Sequence, residues 1–524
     1  MESSVLFIMA HSQPLAEPSG SGADDHIDDE NTPLLTAAVS TSAPSGDSTP
    51  TTTAVASGSE DGDDGDDDKP LPSFQIMILC YARWIEPIAF FSIFPYMNKM
   101  TQENGNLAKA DVGFYSGMIE SLFSLTQMVL MIFWGKAADR FGRKPVLVAS
   151  LLGMSLATGL FGMAKTIWQM ILFRCLAGVF AGTLVTIRTM LSEHSTPKTQ
   201  ARAFSHFAFA GNIGILFGQL LGGLLAEPAD RYPKLFGGVR FFVNYPYALP
   251  NLTVSAIGFS AVLITALFAE ETLVRESPES DEDGTSFRKP PPLSTWELIK
   301  SPGVPVVLYT YAHVMMLAFA YTAIAPLFWF TPIELGGLSF SPFQIALFMG
   351  LAGLAQAVWI LVVFPPLQRR IGTNGVMRVC GNFYPIFFAV CPLFNLLLRS
   401  GHSNLFWGLA PPLVCLGSGV SLSFTAIQLA INEVSPSPAV LGTLNAVGLS
   451  LVTGVRAASP AAFSSLFAVG ARTQWMWGYA IWVLMCVLGA AYAVVSRYLP
   501  DYQELKKRRE VDRVRERLRT TTSG

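Results

Sequence analysis

The sequence predicts an all-α membrane protein of twelve transmembrane helices arranged as two six-helix bundles. Three observations carry that expectation. Of the 524 residues, 51% are hydrophobic and only 14% charged, where an ordinary soluble domain carries roughly 25% charged residues. Apolar stretches recur from Phe74 onward, each of about 20 residues and long enough at ~1.5 Å per residue to cross a hydrocarbon core of ~30 Å. A polar segment then divides these stretches six and six, the outline of a chain built by duplication.

In chain order, residues 1–72 are rich in Ser, Thr, Gly, Asp and Pro, with an acidic run from Glu60 to Asp68. Such a segment cannot bury enough apolar surface to offset its ordering entropy, so a disordered cytosolic tail is expected. Within it, Glu30-Asn31-Thr32-Pro33-Leu34-Leu35 resembles the acidic dileucine signal that sorting adaptors read on membrane proteins bound for vacuoles or lysosomes. Glu2 and the short apolar run Val5–Ala10 do not make a secretory signal, so the N-terminus is expected to stay uncleaved.

The first bundle (73–270) is expected to hold spans at 74–97, 112–134, 146–164, 167–189, 205–226 and 248–269. A cytosolic linker (271–301) follows, with Glu276, Glu279, Asp281, Glu282, Asp283 and the run Pro290-Pro291-Pro292. The second bundle (302–499) repeats the pattern at 303–328, 342–364, 376–398, 404–430, 440–468 and 475–497, ahead of a basic cytosolic tail (500–524). Orientation follows from the basic residues, because short cytosolic loops carry an excess of Lys and Arg. Lys136, Arg140, Arg143, Lys144, Lys198, Arg202, Arg369, Arg370 and Arg378 all fall on the side of both chain ends, while Arg231, Lys234 and Arg240 soften the contrast. Asn251-Leu252-Thr253 is a glycosylation sequon by pattern, but it opens span six and lies too close to the membrane to be modified.

Composition removes several function classes. The six cysteines (Cys80, Cys175, Cys380, Cys391, Cys415, Cys486) sit in apolar runs without the paired spacing of a zinc site or a disulfide framework. No metal or cofactor is expected. The six histidines are scattered, which argues against an enzyme, and no phosphate-cradling Gly-x-x-x-x-Gly-Lys run couples the chain to ATP. Net charge is −3, with acids gathered in the first seventy residues and bases in the last twenty; no nucleic-acid partner follows, and a monomer is expected. A secondary transporter remains, with two alternatives still open: a non-transporting sensor on the same fold, or a symporter or uniporter importing a nutrient.

The most specific signal is the loop Gly135-Lys136-Ala137-Ala138-Asp139-Arg140-Phe141-Gly142-Arg143-Lys144-Pro145-Val146-Leu147. It resembles the signature loop of the major facilitator superfamily. Gly135 permits close helix packing, Gly142 suits a tight turn, and Asp139 can pair with an arginine or a helix N-terminus. Together with Arg140 and Arg143 these residues form a gating loop able to latch helices in one state and release them in another. After span eight, Phe364-Pro365-Pro366-Leu367-Gln368-Arg369-Arg370-Ile371-Gly372 is its degenerate repeat, with the acid lost and a weaker latch expected.

Arg174, followed by Gly178 and Gly182, resembles the span-four motif of proton-coupled members of the superfamily. An arginine at the centre of a helix costs several kcal/mol unless paired or hydrated, and its expected partner is Glu86. Arg83 and Glu86 are three apart and share a helix face, so mutual neutralisation is the competing account. Glu86, Arg174 and Glu120 are the proton-coupling candidates, since burial raises a carboxylate's proton affinity and a nearby arginine lowers it. Arg456 in span eleven is a further buried cation, either substrate-facing or an interhelical tie.

Span five, Gly211-Asn212-Ile213-Gly214-Ile215-Leu216-Phe217-Gly218-Gln219-Leu220-Leu221-Gly222-Gly223, resembles the glycine-rich motif of drug:proton antiporters, with Gln219 where that motif carries proline. Arg83-Trp84-Ile85-Glu86-Pro87, Thr331-Pro332-Ile333-Glu334-Leu335-Gly336-Gly337, Leu441-Gly442-Thr443-Leu444-Asn445 and Arg456-Ala457-Ala458-Ser459-Pro460 resemble the fungal relatives of the zinc-induced-facilitator-like branch, over residues 74–499. The resemblance implies the major facilitator fold and proton-coupled export of a drug, metabolite or metal chelator across a plasma or vacuolar membrane. Substrate-cavity candidates are Arg83, Arg456 and the intramembrane amides Asn212, Gln219, Gln356, Asn382, Gln428 and Asn445, with Gln127 beside them, because an unpartnered amide in hydrocarbon is costly. Trp84, Phe90, Tyr96, Trp359 and Tyr384 are aromatic candidates for the same cavity.

Overall fold

Apolar stretches in lipid must satisfy their backbone hydrogen bonds internally, and this chain does so with helices alone among its described residues. A computed structural model describes residues 72–273, 295–436 and 438–502, with 504, 505 and 507 beyond them. The dileucine motif at Glu30, Leu34 and Leu35, most of the linker and most of the basic tail lie outside that range.

The N-terminal half consists of α1 (Ser73–Phe91), α2 (Phe94–Gly105), α3 (Val112–Phe141), α4 (Arg143–Phe161), α5 (Ile167–Val179), α6 (Thr183–Glu193) and α7 (Pro197–Leu225), then the short α8 (Pro228–Arg231), α9 (Pro233–Phe236) and α10 (Arg240–Asn244), and finally α11 (Ala248–Phe268). The C-terminal half holds α12 (Thr295–Lys300), α13 (Val304–Phe330), α14 (Pro342–Val358), α15 (Phe364–Arg399), α16 (Ser403–Gly417), α17 (Leu422–Val434), α18 (Pro438–Thr473) and α19 (Ala480–Val495). Several starts are set by local chemistry. Thr166 accepts from the Gln169 amide at the head of α5, and Ser341 forms a reciprocal capping box with Gln344 ahead of Pro342 in α14.

Eleven continuous helical runs among the described residues are long and apolar enough to cross a membrane. One of them, Pro342–Arg399, is 58 residues long and breaks at Gly372, whose φ of 71° and ψ of 171° turn the chain back between two expected spans. That bend supplies the twelfth crossing. The equivalent bend in the first half is Gly142, at φ 112° and ψ 151° between α3 and α4, and both sites need a residue without Cβ. Three breaks were not foreseen from sequence: span one kinks at Ser92–Ile93 between α1 and α2, span four is interrupted at 180–182 between α5 and α6, and span ten at Ser418–Ser421 between α16 and α17.

One end of the molecule carries residue 72, residue 502, the Gly142 and Gly372 bends and the basic loops; it is termed the basic end. The halves meet chiefly along two helix pairs, α3 with α18 and α7 with α14, with α2 also packing on α13 and α14. Glycines set the closeness of these seams. A Cβ on Gly113 would stand 2.6 Å from the Ser464 carbonyl oxygen, one on Gly117 2.6 Å from that of Pro460, and one on Gly223 2.0 Å from Ala346 Cβ. All three lie toward the end opposite the basic one. There the seam is also tied by Arg472 and Asp111 (3.7 Å) and by Arg231 over the Phe343 ring (3.7 Å). Every polar contact joining the halves among the described residues lies between mid-membrane and that opposite end. Among the described residues, the ties that seal the halves are thus gathered away from the basic end.

Inside the first half, span five is the tight element. Cβ atoms on Gly214, Gly218 and Gly222 would fall 3.0, 2.9 and 1.7 Å from the backbone oxygens of Trp84, Ile88 and Ser92. The glycine-rich stripe thus presses α7 onto α1. The sequon asparagine is also structural: Asn251 is fully buried and donates to Tyr96 Oη (2.7 Å) and to the Tyr247 carbonyl (2.8 Å).

Candidate functional site

Glu86 stands midway along span one, where α1 faces α3 and α6. It is 6% exposed, and its two oxygens are taken separately: Gln127 Nε2 donates to Oε1 at 2.7 Å and Thr183 Oγ1 donates to Oε2 at 2.9 Å. Arg83, one helical turn before it, reaches only to 4.0 Å. Gln127 also donates to the Ala181 carbonyl (3.3 Å), one of the carbonyls exposed by the break in span four. On its other side Gln127 Oε1 accepts from Arg456 Nη1 at 3.4 Å. A chain of polar groups therefore runs from α6 through α1 and α3 to α18 of the other half.

The ion pair expected between Glu86 and Arg174 does not form. Arg174 is 3% exposed and its guanidinium carbon lies 4.5 Å from the Phe123 ring centre, 5.2 Å from that of Phe90 and 5.9 Å from that of Phe161. Its Nε and Nη2 have no hydrogen-bond partner. The carboxylate nearest in charge is Glu120, 4% exposed, which faces both Arg174 and Arg456 and makes no hydrogen bond among the described residues. Depth explains the exchange of partners. Arg174 is seven residues into α5 from Ile167 and Glu120 eight residues into α3 from Val112, both counted from the same end of the bundle. At ~1.5 Å per residue they sit at one level, while Glu86 lies closer to the basic end.

The gating loop is assembled within the first half. Arg143 is buried; it binds Asp139, donates through Nη2 (3.1 Å) and Nε (3.3 Å) to Glu193 Oε1, and its backbone amide donates to Glu271 Oε1 at 2.7 Å. Gly142 leaves room for Glu271, whose Oε2 would be 2.5 Å from a Cβ there. Thr272 Oγ1 closes the group by donating to Glu193 Oε2 (2.5 Å). Asp139 itself is 70% exposed, Arg140 lies over the neighbouring Phe141 ring, and Gly135 packs loosely against Val185.

The amides separate into three groups. Asn212 and Gln356 continue the facing stripes of α7 and α14, one turn past Leu216 and Gly353, where that seam opens toward the basic end. Gln428 is exposed on α17, and Asn445 on α18 approaches Asn432 at 3.5 Å, forming a polar patch on the second half. Two amides depart from the expected cavity. Gln219 is buried in the α7–α14 seam beside Gly353, with Oε1 unpartnered. Asn382 lies on an outer stripe of α15 with Val379, Phe383 and Ile386, all exposed and apolar, which is a lipid-facing position. Most of the aromatic candidates are also spoken for: Tyr96 binds Asn251, Tyr384 shares a hydrogen bond with Ser423 (3.0 Å), Trp359 donates to the Cys415 carbonyl (2.8 Å), and Trp84 stacks on Phe217. Phe90 alone serves the charged centre, beneath Arg174 and Arg456.

Residues that sequence reasoning passed over are Thr183, Arg188, Glu193 and Glu271. Thr183 had no signal. The others fell at or just past the expected ends of spans, where charged residues are ordinary.

The sequence profile of the Major Facilitator Superfamily matches residues 79–464. "Efflux pump azaK" of Aspergillus niger is 46% identical over 438 residues, 83% of this chain and 90% of that protein. "Protein ZINC INDUCED FACILITATOR-LIKE 1" of Arabidopsis thaliana is 28% identical over 395 residues, 72% of this chain and 75% of that protein. Among solved structures, an inward-facing, unoccupied bacterial homologue of the human lysosomal transporter Spinster superposes with a TM-score of 0.57 at 18% identity, covering 82% of this chain and 98% of that one.

Proposed function

This chain belongs to the Major Facilitator Superfamily, and we propose that it is a proton-coupled exporter in which Glu86 carries the proton. That it is a transporter of small molecules and not an enzyme follows from the family; coupling, direction and membrane are the proposal. The basic end is assigned to the cytosol by its excess of Lys and Arg. With the halves sealed at the other end, the conformer described is then the inward-facing one. The likeness to an efflux pump supports export from that side.

The observation that carries the reading is the chain Thr183–Glu86–Gln127–Arg456. With Glu86 ionised, both its oxygens accept, the Gln127 amide points its donor at Glu86, and the Gln127 oxygen is left for Arg456. A proton on Glu86 Oε1 turns that oxygen into a donor. The Gln127 amide must then rotate to accept it, and Arg456 loses its acceptor. Because Gln127–Arg456 is the polar tie between the halves at mid-membrane, protonation of Glu86 loosens the closed seam and biases the two-state rocking of the bundles. The available drive is a pH difference together with ~2.3 kcal/mol per charge per 100 mV of membrane potential.

Metabolite and drug-sensitivity profiling of a deletion strain identifies the transported compound. In vesicles loaded with it, Glu86→Gln abolishes flux driven by a pH gradient and leaves counterflow exchange intact; undiminished gradient-driven flux in that variant removes Glu86 from the mechanism. The membrane is proposed to be vacuolar, with plasma membrane as the alternative. Loss of vacuolar fluorescence from a tagged chain on replacing Leu34 and Leu35 supports the vacuole, and unchanged fluorescence at the plasma membrane excludes it.

A further inference from the structure

Arg188 is an exposed arginine halfway along α6, deep inside a chain whose lipid-facing surfaces are apolar. Its surroundings show which way it faces. The charged and polar groups in its field are Arg83 and Glu86 of α1 and Tyr311 of α13, the last belonging to the other half. Tyr311 is itself buried and packs beside Gly448 of α18, and its hydroxyl is within electrostatic reach of Arg188 from the other half.

Arg83 and Arg188 are drawn together by one ring. Their guanidinium carbons lie 5.0 and 5.6 Å from the centre of Phe207 on α7. Their positive charges are close enough to oppose one another, and little within the protein offsets this. Arg188 makes no hydrogen bond or ion pair among the described residues. Arg83 has a single 4.0 Å approach to Glu86, and its buried Nε has no partner. Glu86 is one carboxylate for both, and each of its oxygens already accepts a shorter hydrogen bond from Gln127 or Thr183. A third guanidinium, Arg456, enters from the other half; it donates to Gln127 at 3.4 Å, lies 4.4 Å from the Phe90 ring centre and faces Glu120.

Each guanidinium offers five N–H donors in a planar fork shaped for a carboxylate or similar oxyanion. Arginines within a membrane are costly unless they pair or line a hydrated path, and like charges side by side increase that cost. With Arg174 counted, four guanidiniums stand against two carboxylates, Glu86 and Glu120, so the site keeps an excess of positive charge that repels cations and favours an anion.

We propose that the cleft binds an organic anion, its oxyanion bridging Arg83 and Arg188 beside Phe207. The inference rests on the reading of this cleft as the substrate path, and it narrows the substrate to acidic compounds, against the cationic drugs that a multidrug exporter would also have to admit. An anion leaving the cytosol moves with an inside-negative potential, which adds to the proton drive.

The test measures binding in the absence of any gradient, so it stands apart from the question of proton coupling. The full chain is placed in phosphatidylcholine nanodiscs, where no anionic lipid competes, and is assayed by equilibrium dialysis against benzoate, cinnamate and naphthoate, each beside its own neutral primary amide. At least one acid is expected to bind while its amide does not. Arg188→Gln is expected to weaken that acid roughly ten- to a hundredfold, the loss of a charged hydrogen bond, and Arg188→Lys to restore part of the affinity, which a merely structural role would not do. Arg399→Gln, at the far end of the molecule, is expected to leave binding unchanged. Amides binding as tightly as acids, no acid binding, or unchanged acid binding in a monodisperse Arg188→Gln protein overturns the proposal. Acid binding that persists while Glu86→Gln retains gradient-driven flux overturns the proton reading and leaves this one standing.

Discussion

The seam glycines give a perturbation whose direction can be worked out from distances alone. A Cβ built on Gly117 would meet the Pro460 carbonyl oxygen at 2.6 Å, Ser464 Cβ at 2.7 Å and Ala461 Cα at 3.2 Å. All three belong to α18 in the opposite half, and two are backbone atoms that cannot rotate away. Gly117→Ala therefore burdens only the conformer in which α3 and α18 are pressed together, leaving the fold of each half untouched. Overpacking of this kind costs ~1–3 kcal/mol, and a cost borne by one of two states shifts their ratio by roughly 5- to 150-fold. The assay is a spin-label distance between Lys136→Cys on α3 and Arg369→Cys on α15, at the basic end of the two halves, in a background with the six native cysteines replaced. The starting protein should show a long distance, and Gly117→Ala should transfer population to a shorter one as the basic end closes. Gly454→Ala on α18, whose added Cβ would meet nothing within 4 Å, is the matched control. A distance distribution that Gly117→Ala leaves unchanged refutes the assignment of this seam as the closed end of a rocking pair.

Two further substitutions test structural roles. Asn251→Ala removes a buried donor from Tyr96 and Tyr247 and should destabilise the first half by ~1–3 kcal/mol, read as a lower melting temperature; the wild-type protein from a glycosylating host should show no endoglycosidase-sensitive mass at this sequon. Arg143→Gln removes charge-assisted hydrogen bonds to Glu193 worth ~1.5–3 kcal/mol and should lower the melting temperature of the purified protein. Asp139→Asn, which alters a largely exposed group, should leave it within error, because exposed pairs contribute ~0–1 kcal/mol; equal losses in the two variants would contradict the view that Arg143 is anchored by Glu193 rather than by Asp139.

The spans were readable because lipid imposes a length and a composition that no other environment demands, so hydropathy alone separates α4, α11 and α13 to within about three residues, while α3 runs on past its expected end to Phe141 and α19 starts only at Ala480. Breaks inside helices were not readable. The interruption at 180–182 leaves the apolar run intact, yet it exposes the Ala181 carbonyl that Gln127 binds, and without it the site around Glu86 has a different shape. Pairing was misjudged for a related reason. Two acids and several arginines offer several neutral combinations, and composition cannot choose among them; only depth along each helix does, and counting from the loop at 106–111 would have matched Arg174 to Glu120. Arg188 was passed over because it stood at the expected end of span four, whereas the helix runs on to Glu193 and leaves the arginine facing the cleft.

The two halves also differ in a way that duplication makes informative. At the basic end, Gly142 and Gly372 turn the chain with the same kind of positive-φ bend, and each is followed by a residue that binds an acid at the end of an inner helix. In the first half Arg143 binds Glu193; in the second, Thr373 Oγ1 donates to Glu433 Oε1 at 2.8 Å. The backbone feature persists in both because each half must reverse its chain at that point whatever the loop does. The charge does not: the second bend is held by a hydroxyl donor where the first is held by an arginine. With Arg143 held by Glu193 and Glu271, Asp139 is the exposed member of that cluster. The counterpart at Thr373 is a neutral donor, so among the described residues only the first half carries an ionic cluster at this bend.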